Sequence, residues 1–236
     1  QNVFLLLRWI GFLRRHNIQI PSKFLNSIRK GSWLRSTLNG FPGYRPPSQS
    51  FFLTNNEKSN WGNLLQNGSV LVDIPLVDQS FYGSEITTYK EDLKAVGVMF
   101  EFGEACTYIG NHLMSLAASS SLSRTQVFSM LNFIRLLRQK YLSPNDFIVS
   151  VKQHRWLVTC AGVRSPEGSV LYDEKWEVAR EISDIPFIDG DHYGEDMSSF
   201  KEELKLLGVV VGFDNNYQMV ASHLKKSFCS PSLTSE

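Results

Sequence analysis

From Asp73 the chain reads DIPLVDQSFYG, then YKEDLKAVGV, and it reaches His-Leu at 112–113. From Asp184 it reads DIPFIDGDHYG, then FKEELKLLGV, and it reaches His-Leu at 223–224. The offset is 111 throughout. Identical pairs include Asp73/Asp184, Pro75/Pro186, Asp78/Asp189, Tyr82/Tyr193, Gly83/Gly194, Gly97/Gly208 and His112/His223. A constant offset over so long a span reads as two tandem copies of one unit. A residue that the architecture needs must then occur twice, and a residue present in only one copy is free to serve something else.

The pairing extends upstream with a growing offset. It is 115 at Trp61/Trp176, 119 at Arg45/Arg164 and 123 at Trp33/Trp156. The extra residues of the first copy fall in NGFP, NNEK and the QNGS region, where turn chemistry tolerates insertion. Val3, Phe4, Leu7, Ile10 and Leu13 match Val127, Phe128, Leu131, Ile134 and Leu137 at the spacing of one helical face. These boundaries predict unit one over 1–115, a small polar linker LAASSSLSR over 116–124, unit two over 125–226 and a disordered tail over 227–236.

Each copy predicts the same order of elements. An amphipathic helix comes first (about 2–15 and 125–140), then a short helix N-capped by Ser22 or Asn145. A strand begins at Trp33-Leu34 or Trp156-Leu157, and a Gly-x-Arg-x-Pro turn leads to a second apolar run, SFFL or SVLY. A helix around Trp61 or Trp176 follows. The Asp-Ile-Pro segment is extended, because proline biases its predecessor away from helix. Then comes a helix that stops at Gly97 or Gly208, a β-rich GVMFEF or GVVVGF, and a last helix carrying His112 or His223. The expected fold class is α+β.

The opening run VFLLLRWIGFLRR is interrupted by Arg8 and is shorter than the roughly 20 residues of a membrane span. Its match to 127–137 makes it a core helix, so no membrane association is expected. The three cysteines, Cys106, Cys160 and Cys229, are odd in number and far apart, which excludes a disulfide framework and suits an intracellular protein. The net charge of +1 conceals blocks: residues 1–50 hold eight Lys/Arg and no Asp/Glu, and residues 167–236 hold six and fourteen. Each copy has a basic front and an acidic rear. Nucleic-acid binding by the fronts would require Arg14, Arg15, Arg29, Lys30 and Arg35 to share one exposed face.

The acidic stretch DIPFIDGDHYGED offers Asp189, Asp191 and Glu195 as metal ligands, without the spacing of a calcium loop. The first copy keeps Asp78 and a displaced Glu85, so the stretch reads as a turn with acids at a helix start. Asp73, Pro75, Tyr82, Gly83, Gly97 and their partners Asp184, Pro186, Tyr193, Gly194 and Gly208 read as repeat-defining structural residues. Trp33/Trp156 and Arg45/Arg164 carry two readings: core and turn residues, or a surface aimed at a partner's acidic group. The chain contains no GxSxG, HExxH, GxxxxGK[ST] or GxGxxG motif. No catalytic residue and no metal site is assigned.

The phrases WLRST…GYRPPSQSFFL, DIPLVDQSFYG, YKEDLKAVGVMFEFGEA and HLMSLAASSSL, with their second-copy partners, resemble the repeated region of large plant proteins. These form a no vein-like and sacsin-like group that carries a GHKL-type ATPase module of the gyrase, heat-shock chaperone and histidine-kinase class. The resemblance implies an intracellular plant protein, cytoplasmic or nuclear, in a chaperone-like or scaffold setting. It implies ATP as a cofactor of the parent chain and none for this segment, because the helix Asn, DxGxG motif and glycine-rich lid of that fold are missing from these residues. The expected function is a non-catalytic module for protein interaction or scaffolding, with neighbouring repeats or another protein as partner. The alternatives are a contribution to ATP-dependent enzyme activity, or nucleic-acid binding.

Overall fold

The computed structural model describes residues 2–54, 74–213 and 216–229, the last four of these as helix backbone only. Trp61 and Asp73 lie outside the described residues, as does the tail beyond 229. The fold is α+β, with many helices and short strands. The chain divides into unit 1, Gln1–Ile109, and unit 2, Gly110–Glu236.

Unit 1 opens with α1 (Asn2–Arg15), which buries Leu7, Ile10 and Leu13 on one face. Helix α2 (Ser22–Lys30) follows. Strands β1 (Leu34–Leu38) and β2 (Phe41–Arg45) form an antiparallel hairpin across Asn39 and Gly40, both at positive φ. That is the backbone a tight two-residue turn requires. Strand β3 (Leu76–Val77) adds to β1 antiparallel, and Phe51 bridges onward in parallel to Leu76 and Met99. Helix α3 (Gln79–Tyr82), a 3-10 stretch (Ser84–Tyr89) and α4 (Lys90–Ala95) come next, and α5 spans Phe102–Ser120. Leu7, Ile10, Ile28, Leu34, Val77, Tyr82, Ile86, Leu93, Val98 and Phe100 share one core.

Unit 2 contains α6 (Arg124–Gln139), α7 (Asn145–Gln153), the antiparallel pair β4 (Leu157–Thr159) and β5 (Gly162–Arg164), and β6 (Val170–Leu171). A 3-10 turn (Glu174–Trp176) runs into α8 (Glu177–Ile182). Then come α9 (Gly190–Tyr193), a 3-10 stretch (Glu195–Phe200), α10 (Lys201–Leu206), β7 (Val210–Val211), parallel to β6, and α11 (Tyr217–Cys229). The bridges Thr159↔Ile188 and Val170↔Phe187 complete a ladder. Its order is hairpin, Asp-Ile-Pro segment, apolar run, post-glycine strand, which is the order found in unit 1.

Four expectations need correction. Ser22 and Asn145 are first helical residues and not caps; Pro21 and Pro144 precede them with no side-chain capping bond. Proline serves there because its φ suits a helix entrance and its missing N–H is no loss. The helix ending at Gly97 or Gly208 is divided, 3-10 first and α only in its last six residues. Residues 116–120, read as linker, are the end of α5, since small Ala and Ser residues prolong a helix; the next helix starts at Arg124 behind a Ser123–Gln126 capping box. Of the tail expected over 227–236, residues 227–229 belong to α11.

Candidate functional site

Several of the paired residues make the same bonds in each unit. Asp78 caps α3 by accepting from the Phe81 amide at 3.1 Å, and Asp189 caps α9 from the His192 amide at 2.9 Å. The hydroxyl of Tyr82 accepts the Arg35 amide at 2.8 Å, and that of Tyr193 accepts the Val158 amide at 3.1 Å. Gly83 and Gly194 stand at φ 72° and 73° with extended ψ, a region essentially closed to other residues. Gly97 and Gly208 are also at positive φ. Pro75 and Pro186 lend their carbonyls to the amides of Phe51 and Val170. Asp184 is exposed.

Trp33 and Trp156 each donate an indole N–H to a carbonyl of the preceding helix, Ile28 and Val151, both at 2.7 Å. Trp156 is fully buried, so it presents nothing to a partner. Arg45 donates to the Ser36 and Gly43 carbonyls within its own hairpin. Arg164 is exposed, and Arg155 supplies the hairpin contact in unit 2 through the Val163 carbonyl. Of the four proposed partner-binding residues, Trp33 lines a groove of unit 1.

The acidic stretch does not converge on one point. Asp189 and Asp191 line a cleft of about 260 Å³, while Glu195 lines a neighbouring one of about 360 Å³ with Asp189. Among the described residues no group of three His, Cys, Asp or Glu side chains is placed to hold a metal ion. Burial pushes the Cys106 thiol up to about 12, so it stays protonated at neutral pH.

The charge blocks meet inside each unit. Arg14 pairs with Asp92 at 2.8 Å, and its counterpart Arg138 pairs with Glu203. Glu203 is 3% exposed and also takes Arg135 at 3.4 Å. Arg35 pairs with Asp78 at 3.0 Å, and Arg29 donates to the Ala95 carbonyl. Three of the five arginine and lysine side chains needed for a nucleic-acid face are therefore held within unit 1; Arg15 and Lys30 are exposed.

What sequence matching did not reveal is a groove of about 520 Å³ in unit 1, lined by Val3, Phe4, Leu6, Trp33, Tyr44, Phe81 and Tyr82. Phe4 and Phe81 both meet the Tyr82 ring edge-on, with centroids 5.9 and 5.0 Å away. The Arg35 guanidinium lies 4.2 Å from the Phe81 ring centre. Tyr44 and Phe81 remain 59% and 52% exposed. Aligned by the same offsets, unit 2 has Val163 for Tyr44, His192 for Phe81 and Val158 for Arg35. The signal was present in the sequence as these three mismatches, but only coordinates show that Tyr44 and Phe81 line one opening with Arg35 stacked on the Phe81 ring.

The class that this geometry defines is a two-unit α+β protein with an aromatic surface groove on its first unit. The chain matches no known family model, no curated protein and no solved structure. Among the described residues, no helix is long and apolar enough to cross a membrane.

Proposed function

We propose that this chain is a non-catalytic protein-interaction module made of two copies of one α+β building block, and that the unit 1 groove is its contact point. One observation carries the reading: residues shared by the two units hold backbone and helix ends, whereas Tyr44 and Phe81, which line the groove, and Arg35, which stacks on Phe81, are replaced by Val163, His192 and Val158 in unit 2. Large exposed aromatics that share one concavity suit an apolar or aromatic anchor from a partner, and stacking on Arg35 keeps Phe81 in place. Asp78 holds Arg35 by an ion pair, and the Ser80 hydroxyl and Phe81 amide hold Asp78 in turn. The groove wall is thus fixed before any partner arrives.

The phrases shared with the no vein-like and sacsin-like group support a scaffold setting within a larger intracellular, chaperone-like ATPase, with ATP acting elsewhere in that parent chain. The test is selection of displayed peptides on the whole chain. Enriched peptides should carry an aromatic or long apolar anchor and bind about ten-fold or more weakly to the Tyr44→Ala/Phe81→Ala double variant. Binding that survives the double variant would remove the groove from the reading.

A further inference from the structure

The outer face of α1 presents Leu5, Trp9 and Phe12 at helical i, i+4, i+7 spacing, 62%, 45% and 46% exposed. Phe24 of α2, 38% exposed, meets the Trp9 ring edge-on at 5.3 Å. These side chains are separate from the groove.

Unit 2 contains the same ring pair. Trp9 aligns with Phe133, and Phe24 with Phe147, and these two rings also meet edge-on, at 5.5 Å. There they are 2% and 0% exposed. The part of α5 that belongs to unit 2 supplies a reason. A Cβ at Gly110 would come within 3.0 Å of the Phe147 ring, so the helix backbone rests on that ring. Gly110, Leu113, Met114 and Ala117 follow the spacing of one helical face; Leu113 is fully buried and Met114 3% exposed. Residues 110–120 carry no Lys, Arg, Asp or Glu.

We infer that the Leu5–Trp9–Phe12–Phe24 face of unit 1 is a docking site for an uncharged amphipathic helix of the α5 kind, with glycine over the aromatic pair and leucine and methionine three and four residues later. The inference rests on the equivalence of the two units and not on the groove. A second copy of this chain is the poorer occupant. Its α11 places Lys225 where Met114 stands in α5, against a face already flanked by Arg15 and Lys23.

The probe is a synthetic peptide of residues 103–120, titrated by calorimetry into the whole chain. Saturable binding is expected. Trp9→Glu, and separately Leu5→Glu, should weaken it about ten-fold or more, with folding checked by circular dichroism. A peptide with Gly110→Phe should fail to bind, and that arm leaves the protein unaltered. No binding, binding indifferent to Trp9→Glu, or an equally good Gly110→Phe peptide overturns the proposal. Concentration-dependent self-association that Trp9→Glu abolishes would also overturn it, in favour of a second copy. The Tyr44→Ala/Phe81→Ala variant should keep the peptide, so the two surfaces can fail independently.

Discussion

Trp33 and Trp156 immediately precede matching strands and donate to matching carbonyls, yet one borders an open groove and the other is sealed. The hydrogen bond is therefore the architectural requirement, and the exposure of the ring is a local choice. The same contrast runs through the molecule. Arg14–Asp92 and Arg138–Glu203 are equivalent pairs, but Glu203 has a second arginine because Arg135 stands where α1 has Gly11. A carboxylate at the Asp92 position touches the space a Gly11 side chain would fill, with Asp92 oxygens 3.0 Å from that Cβ position. One unit solves the approach of the two helices by leaving room, and the other by filling it with charge.

This comparison can be broken experimentally, most sharply at the tryptophans. Trp156→Ala should cost about 3–5 kcal/mol in urea unfolding, as for a fully buried aromatic, and Trp33→Ala about half as much. Equal losses would mean that the groove is closed in solution. Next comes the carboxylate pair. Glu203→Gln should destabilise unit 2 by about 1–3 kcal/mol, because it takes the partner from two arginines at once; Asp92→Asn should cost unit 1 about 1 kcal/mol or less. A reversed order would refute the idea that Arg135 tightens the second unit.

The smallest expected effect is an acid one. Burial raises the Asp78 pKa, but hydrogen bonds from the Ser80 hydroxyl, the Phe81 amide and Arg35 outweigh it and hold the carboxyl below its ordinary value. A depressed folded-state pKa contributes stability above the unfolded carboxylate pKa, and that stability is lost as pH falls through the folded value. The Asp78→Asn variant should therefore lose stability at neutral pH and show a flatter decline than wild type below about pH 4. Parallel acid profiles for the two proteins would show that Asp78 caps α3 without any linked ionisation.

Much of the local architecture was legible because it is stated twice. An Asp followed four residues later by Tyr-Gly occurs in both halves, and in both the Asp caps a one-turn helix, the Tyr satisfies a strand amide and the Gly turns the chain. A bond between residues close in sequence, or repeated at a fixed offset, leaves a pattern that periodicity can find. Arg45 and Arg164 are matched in sequence but not in bonding: Arg45 donates to the Ser36 and Gly43 carbonyls of its own hairpin, whereas in unit 2 Arg155 donates to the Val163 carbonyl. The charge blocks gave no such pattern, since a linear count of sign does not show that the front of a unit pairs with its own rear, as Arg14 does with Asp92 and Arg138 with Glu203.

The order of the elements and the spacing of the apolar faces follow from local chemistry, and the sequence alone determined them. Which apolar face is covered was decided only by tertiary structure. Trp9 and Phe133 occupy equal places on equal helices, and the difference between 45% and 2% exposure lies in what packs over them, not in the residues themselves. Burial is a property of the neighbours in space, and those neighbours are set by long-range packing that no local pattern encodes.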